Sequence, residues 1–138
     1  MSIIKKSSIK NVKTTGCQTV VVLGASIKPQ RYSYKAVKLL LQYQHTVIPV
    51  HPKLSHVNEL LVTAHLSDIS IPVDTLTLYV GAERSRPLID DIIALKPGRV
   101  IFNPGTESKL LEKKLSSEGI PFVHNCTIIM LQANQFDF

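Results

Sequence analysis

The amino-acid sequence predicts a three-layer α/β fold of the Rossmann type, with a mostly parallel sheet of five to six strands. The first observation is the length, since 138 residues is the size of one ordinary globular domain. The second is a set of short β-branched runs, such as Thr19–Leu23, that are typical of strands buried on both faces. The third is the alternation of these runs with amphipathic segments, which favours parallel strands joined by right-handed crossovers.

In the first half of the chain, strands and helices are predicted from apolar spacing. They are, in chain order, the strand Thr19–Leu23, a helix at 33–44, the strand Thr46–Val50, a weak amphipathic segment at 57–62 and a short strand near 64–66. Ser33 is predicted to cap the helix. Pro49 is unfavourable in a central strand, so an irregularity is expected there.

The second half shows a clearer alternation. The predicted elements are a strand at 75–80, a helix that starts at Ser85 and Pro87 and stops at Pro97, the strand Arg99–Phe102, a helix at 106–119, a strand at 121–124 and a short helix at 126–133. Thr106 and Asn125 are the predicted N-caps of the last two helices. The whole pattern predicts one domain at 19–138.

Positive charge is concentrated in the first half of the chain. The net charge is +6, yet residues 1–58 hold nine basic and no acidic residues, whereas residues 59–138 hold seven basic and ten acidic ones. A first half without acids offers a polyanion a place to bind. Residues 1–18 carry four lysines without the apolar stretch of a secretion signal, and they are interpreted as an N-terminal extension.

Composition argues against several classes of protein. No apolar run approaches the roughly 18 residues of a spanning helix, so no membrane segment is expected. Cys17 and Cys126 match neither a zinc spacing nor a disulfide framework, so reduced thiols and a cytoplasmic location are expected. Nucleic-acid binding is not favoured, because much of the excess charge lies in residues 1–18 and the aromatic residues are few and not clustered.

The loop after the first predicted strand has the features of a phosphate-binding turn. In open α/β sheets the ligand lies beyond the carboxyl ends of the strands, where this loop belongs. Gly24 permits a tight turn and a close approach of phosphate to the backbone, and Ser26 adds a hydroxyl donor. Lys28 and Arg31 add positive charge. An ordinary strand-to-helix turn is the alternative interpretation.

The end of the second strand indicates the type of nucleotide. An NAD site places Asp or Glu there, roughly 20 residues after the glycines, to bind the ribose hydroxyls. This chain has His51, Pro52 and Lys53 instead, without an acid nearby. A lysine suits a phosphorylated ribose, which NADP carries at the 2′ position and coenzyme A at the 3′ position. Plain NAD is therefore disfavoured.

No catalytic or metal-binding set is complete in the sequence. Ser26 lacks the second glycine of a GxSxG nucleophile elbow, and no Walker lysine motif occurs. The five histidines never repeat at the helical spacing of a zinc site. Cys126, at a predicted helix start close to His124, is a candidate activated thiol, and a buried thiol that packs the sheet end is the alternative.

Several strings of residues together carry a family pattern. They are Gly24-Ala25-Ser26 with Pro29, Arg31-Tyr32-Ser33-Tyr34-Lys35-Ala36, Pro49-Val50-His51-Pro52-Lys53, Pro72-Val73-Asp74, Leu78-Tyr79-Val80, Val100-Ile101-Phe102-Asn103-Pro104-Gly105-Thr106-Glu107 and Cys126-Thr127. Over about residues 19–136 the chain resembles the small stand-alone CoA-binding domain proteins. That family is similar to the CoA-binding Rossmann domain of the succinyl-CoA synthetase α subunit and of NDP-forming acyl-CoA synthetases.

The resemblance implies a ligand and a set of contact residues. The ligand would be coenzyme A or an acyl-CoA, bound without ligase chemistry, because the catalytic histidine of those ligases lies in a further domain that 138 residues cannot supply. Gly24, Ala25 and Ser26 would hold phosphate, and Lys53 would face the phosphoadenosine end. The predicted contact set is completed by Lys28, Pro29, Arg31, Pro52, Tyr79, Val80, Gly81, Asn103, Pro104 and Gly105.

The chain departs from the family pattern in three places, and three functional hypotheses remain open. His51 stands where Asn is common, Leu60-Leu61 interrupts a stretch that usually holds a glycine, and Ala133-Asn134 replaces the usual Thr-Gly. The first hypothesis is a non-catalytic CoA-binding or regulatory module. The alternatives are an NADP-dependent reductase and a nucleotide-responsive subunit that docks on a protein partner or on a second copy.

Overall fold

The computed structural model describes residues 16–137, and a parallel five-stranded sheet lies at its centre. The strands are β1 (Thr19–Leu23), β2 (Thr46–Val50), β3 (His56–Val57), β4 (Leu60–Leu61), β5 (Thr75–Leu78), β6 (Arg99–Phe102) and β7 (Phe122–His124). The central sheet has the order β2-β1-β5-β6-β7, with every neighbouring pair parallel. Strands β3 and β4 form a separate antiparallel hairpin.

Helices cover both faces of the sheet. They are α1 (Tyr32–Gln42), α2 (Ala82–Ser85), α3 (Ile89–Leu95), α4 (Lys109–Ser117) and α5 (Thr127–Gln132), with short 3₁₀ turns at Leu66–Asp68 and Arg86–Leu88. One core cluster joins α1 and α5 to the sheet, and a second joins α3 and α4 to the opposite face. The predicted three-layer Rossmann-type fold is confirmed.

The side-chain alternation of β1 divides the core between these two layers. Val20 and Val22 pack in the cluster with α1 and α5, whereas Val21 and Leu23 pack in the cluster with α3 and α4. All four side chains are buried, and burial of an aliphatic side chain of this size stabilises a fold by roughly 1.5–3 kcal/mol. A β-branched run buried on both faces is what the sequence predicted for this strand.

The predicted helix starts are wrong in several places. Arg31, not Ser33, is the N-cap of α1, and Ser33 is buried inside the helix. The N-cap of α4 is Ser108, whose Oγ accepts from Leu111 N at 3.1 Å. Thr106 instead closes the preceding turn, because its Oγ1 donates to Asn103 O at 2.7 Å.

The helix predicted from Ser85 is broken into pieces and starts earlier. Ser85 is the last residue of α2, and α3 begins only at Ile89, after a 3₁₀ turn that holds Pro87. Cys126, not Asn125, is the N-cap of α5.

The segment between β2 and β5 also differs from the prediction. Most of the segment predicted at 57–62 lies in the β3–β4 hairpin of residues 56–61, because Asn58 and Glu59 both adopt positive φ, 50° and 67°, as a tight hairpin turn requires. No strand forms at 64–66, and the pairing falls on Thr63, which bridges to Val50. β2 is regular despite Pro49, because it is the edge strand of the sheet.

A buried polar cluster closes the amino edge of the sheet. Arg99, at the start of β6, is only 6% exposed, and its Nε donates to Thr75 Oγ1 at 2.9 Å. Its guanidinium also donates to the carbonyl of Phe136 and lies 4.7 Å from that ring. Gln18 accepts from Thr75 Oγ1 and donates to Phe136 O at 3.2 Å. This cluster ties residues near both ends of the described chain to the sheet.

Two sequence predictions concern the ends and the class of the chain. Of the predicted extension at 1–18, residues 1–15 lie outside the described residues, and Gln18 is buried within the fold. None of the helices between residues 16 and 137 has the length and apolar character needed to cross a membrane.

Candidate ligand site at the carboxyl edge of the sheet

The strand order places a crevice at the carboxyl ends of β1 and β5. From β1 the chain crosses on the α1 face to β2, and on the other side of β1 it runs from β5 to β6 and β7 over the opposite face. Ligands of open α/β sheets bind at such a reversal of direction. The loops that begin at Gly24 and at Tyr79 therefore lie on either side of the candidate site.

Gly24 lies where these two loops touch. Its φ is +95°, in the left-handed region that favours glycine, and a Cβ built on it would lie 2.7 Å from Val80 Cγ1. The positive φ confirms the tight turn predicted at Gly24, and the close approach of phosphate to its backbone stays a prediction. Any side chain at residue 24 would push the β1 and β5 loops apart.

The first amides of the β1 loop are used within the protein. Gly24 N and Ala25 N both donate to Val50 O, at 3.1 and 3.2 Å, which fixes the loop to the end of β2. Ser26 Oγ accepts from Lys28 N at 3.0 Å, which leaves its hydroxyl hydrogen able to donate. Within this loop, Ser26 is therefore the predicted phosphate contact that remains available.

The N-terminus of α1 completes the positive end of the loop. Arg31, its N-cap, makes no side-chain capping bond, and the first turn holds no acidic residue. The helix dipole and the free amides of that turn favour an anion. Lys28, Pro29 and Arg31 are all exposed beside it. An 11-residue helix without a capping side chain, flanked by two cations, is suited to bind phosphate.

The loop after β2 supplies a third positive group. Pro52 and Lys53 are exposed, and Lys53 N donates to His51 Nδ1 at 3.0 Å. Partial burial lowers the pKa of His51, and the positive charges of Arg84 and Lys53 lower it further. Arg84 lies in α2, after β5, so its charge reaches across the end of β1 to the β2 loop.

Tyr79 is anchored in the core. Its side chain packs against the α1 and α5 cluster, and its buried hydroxyl makes no hydrogen bond of regular geometry among the described residues. Burial raises the pKa of the phenol, so it stays protonated at neutral pH. Tyr79, Val80 and Gly81 are all partly exposed at the edge, although the Tyr79 hydroxyl itself is buried.

The side chain of Asn103 links the ends of β5 and β6 to the start of α5 by hydrogen bonds. Its Nδ2 donates to Thr77 Oγ1 at 2.7 Å and to Leu78 O at 2.9 Å, while its Oδ1 accepts from Thr127 N at 2.9 Å. The amide is 2% exposed and fully engaged. Asn103 therefore positions the ends of β5 and β6 and the start of α5, and direct ligand contact in this loop stays a prediction for Pro104 and Gly105.

The loop after β6 has open space above Gly105, but the Gly105 amide is already bound by the carboxylate of Glu107. Gly105 has a φ of +90° with no atom within 4 Å of a built Cβ, so space lies above it. Gly105 N donates to Glu107 Oε2 at 3.1 Å, and hydrogen bonds from the backbone hold the pKa of Glu107 below its usual value. This loop is therefore less suited to phosphate than the β1 and β2 loops.

The sequence left two alternatives for Cys126, a thiol activated by His124 and a thiol that packs the sheet end. His124 Nε2 lies 3.1 Å from Glu112 Oε2, and the ring stacks on Phe102 with centroids 4.9 Å apart. Cys126 is half-buried at the start of α5. The reactivity of its thiol stays a prediction.

Sequence reasoning missed Arg84 and Thr127 at this edge, and it named His51 without including it in the contact set. Arg84 and His51 belong to the basic group around Lys53, and Thr127 joins α5 to Asn103 and, through its hydroxyl, to Thr77 at 2.7 Å. Arg84 could have been predicted as a site residue from the sequence, because it is a basic residue in the first turn after a central strand. Among residues 16–137 no three His, Cys, Asp or Glu side chains are grouped so as to hold a metal ion.

Solved structures share this fold over most of the chain. An uncharacterised protein of known crystal structure is 38% identical, with 86% of this chain and 98% of that chain covered and a TM-score of 0.81. A Thermus thermophilus protein is 26% identical, with 86% and 90% covered and a TM-score of 0.80.

A larger enzyme shares the fold over a quarter of its length. The dinucleotide-forming acetyl-coenzyme A synthetase 1 of Ca. Korarchaeum cryptofilum is 22% identical, with 77% of this chain and 25% of that chain covered and a TM-score of 0.65. The family model described as CoA binding domain matches residues 18–132, which include every loop of the candidate site. The chain therefore belongs to the CoA binding domain family.

Proposed function

We propose that this chain binds coenzyme A or an acyl-CoA at the carboxyl edge of its sheet, as a binding or regulatory module without a catalytic step of its own. The observation that carries the proposal is an uncapped helix N-terminus together with exposed cations in the segments that follow three neighbouring strands, β1, β2 and β5. Coenzyme A carries a pyrophosphate and a ribose phosphate, so it can use such a surface over its whole nucleotide half.

The loops suggest how the ligand lies. The pyrophosphate would meet Ser26 and the first turn of α1, where a hydroxyl and free amides are available. Lys53 would bind the 3′-phosphate at the end of β2. The pantetheine arm would pass Val80 and Gly81 towards Gly105, above which there is open space.

A binding module is favoured because the contacts of the described residues in the candidate site contain no nucleophile hydrogen-bonded to a base. The Tyr79 hydroxyl is buried and protonated. The Asn103 amide is hydrogen-bonded to Thr77, Leu78 and Thr127, and His124 is paired with Glu112. A nucleophile needs a base within hydrogen-bond reach, and these contacts supply no such pair.

Calorimetry with coenzyme A, dephospho-CoA and NADP tests the proposal. We expect coenzyme A to bind about ten- to a hundredfold more tightly than dephospho-CoA, as one charge-assisted contact to the 3′-phosphate would give. The gap should shrink in Lys53→Ala and at high salt. Lys113→Ala, an exposed lysine of α4, is the control of equal charge change and should leave the gap intact.

Two outcomes would contradict parts of the proposal. Tighter binding of NADP than of coenzyme A would replace it with the NADP-dependent reductase. Equal binding of coenzyme A and dephospho-CoA would remove Lys53 from the site.

A further inference from the structure

His51 forms a turn that is usually made by Asn or Asp. Its Nδ1 accepts from Lys53 N at 3.0 Å and from Leu54 N at 3.3 Å. Acceptance from the amide two residues ahead is the pattern of an Asx turn, which an Asn side-chain oxygen makes in the same way. The imidazole thus fixes the conformation of the β2 loop and replaces the shorter Asn side chain in that structural role.

This turn also fixes the tautomer of the ring. A nitrogen that accepts two amide hydrogens carries no proton, so the proton of the neutral imidazole lies on Nε2. Protonation of Nδ1 would direct its hydrogen at two other N–H groups. Burial and the charges of Arg84 and Lys53 also lower the pKa of His51, so the ring is neutral at neutral pH. Nε2–H has no acceptor among the described residues.

The surroundings of His51 are rich in hydrogen-bond donors. Both groups whose charges act on its ring are cations, and Arg84 has the larger effect although Lys53 is only two residues away. Arg84 lies one turn beyond Gly81, to whose carbonyl its amide donates at 3.0 Å. Residue 51 directly follows Val50, whose carbonyl binds the β1 loop. The ring therefore lies at the end of β2, next to the β1 loop, and the charges of both Lys53 and Arg84 act on it.

We propose that His51 is a specificity-determining residue, which donates its Nε2–H to the 3′-phosphate of coenzyme A between Lys53 and Arg84. The inference rests on the proposed function and adds a neutral donor and a second cation to the predicted lysine. A phosphate monoester offers only acceptors at neutral pH, so it matches a group of donors that contains no acceptor. Dephospho-CoA lacks this group.

Substitution of His51 by Asn separates the turn from the ligand contact. In His51→Asn the side-chain oxygen can still accept from Lys53 N and Leu54 N, but the donor beyond the ring is lost. We expect an unchanged melting temperature, about tenfold weaker binding of coenzyme A, and unchanged binding of dephospho-CoA. His56→Asn, on the neighbouring hairpin, is the matched control and should bind both ligands as the wild type does.

Arg84 is tested in the same way. Arg84→Gln should also weaken coenzyme A binding about tenfold and spare dephospho-CoA. Arg86→Gln removes an equal charge from the adjacent exposed turn and should change neither. In ¹⁵N-histidine spectra, the Nε2–H tautomer of His51 should be present in the free protein, and its Nε2 signal should shift more with coenzyme A than with dephospho-CoA.

The results distinguish this inference from the proposal on which it rests. Wild-type protein that binds no coenzyme A would overturn the proposed function and this inference together. Wild-type protein that binds coenzyme A, with the same preference over dephospho-CoA in His51→Asn, would overturn this inference alone. So would an Nδ1–H tautomer in the free protein.

Discussion

The two edges of the central sheet use charged residues in opposite ways. At the amino edge, Arg99, Thr75 and Gln18 are buried and hydrogen-bonded to one another and to Phe136. At the carboxyl edge, Lys53 and Arg84 are exposed. The amino edge therefore contributes to folding stability, whereas the carboxyl edge keeps its charged groups available to a ligand.

The difference follows from the cost of burial. A buried polar group that loses its partner costs about 1–3 kcal/mol, and more if it is charged, whereas an exposed charge stays hydrated and costs little when unpaired. Substitutions at the amino edge should therefore lower the free energy of unfolding. Substitutions of the exposed charged side chains at the carboxyl edge should change ligand affinity at nearly constant stability.

Arg99→Ala is expected to have the largest effect. It removes the donor to Thr75 and to the Phe136 carbonyl inside the cluster, so the free energy of unfolding should fall by roughly 3 kcal/mol. Urea unfolding followed by circular dichroism measures this. Arg86→Ala, which is exposed, should leave the midpoint unchanged, and an equally small effect of Arg99→Ala would contradict the contrast between the edges.

Gly24→Val tests the carboxyl edge with a backbone change. The added side chain meets Val80 and a φ of +95°, so the β1 loop should shift and coenzyme A binding should fall more than a hundredfold, with about 1–3 kcal/mol lost in stability. Gly119→Val is the matched control, because its φ is also positive, +72°, but nothing lies within 4 Å of its built Cβ. Wild-type affinity in a folded Gly24→Val protein would place the ligand elsewhere.

The sequence predicted those parts of the fold and site that depend on local pattern. β1 was predictable because a β-branched run has few other uses, and Gly24 was predictable because a strand–turn–helix junction at this place requires it. Helix starts were predicted less well, since Thr106 and Ser108 are equally good caps in sequence and only the turn contacts decide between them.

The remaining features depend on contacts between distant residues. The amino-edge cluster joins Gln18 to Phe136, which are 118 positions apart. The charge of Arg84 lowers the pKa of His51 because β1 alone lies between β2 and β5 in the sheet. Strand order cannot be predicted from any local segment of the sequence. Polar groups at the strand ends can therefore be predicted one loop at a time, but their grouping requires the assembled sheet.

A change of pH should affect the carboxyl edge through His51. The lowered pKa means that the unfolded chain, with a value near 6.5, binds a proton more readily than the folded protein. Stability should therefore decrease as the pH falls below about 6.5, and should be unaffected by this residue above it. Urea midpoints at two pH values should show a smaller acid loss in His51→Asn than in the wild type. An identical loss in both, with His56→Asn as reference, would contradict the shift.

Glu107→Gln should have the smallest effect, and it sharpens the contrast within the carboxyl edge itself. Glu107 is the acid that occupies the Gly105 amide on the β6 side, and its lowered pKa keeps it charged at neutral pH. The glutamine oxygen can still accept from that amide, so only the charge is removed. Coenzyme A affinity should rise about twofold at low salt and not at all at high salt, because the carboxylate is exposed and screened. Glu118→Gln, beyond the end of α4, should leave the affinity unchanged. A marked loss of affinity in Glu107→Gln would instead mean that this carboxylate accepts a hydrogen bond from the ligand, and the division between a phosphate-binding side and an acidic side would have to be abandoned.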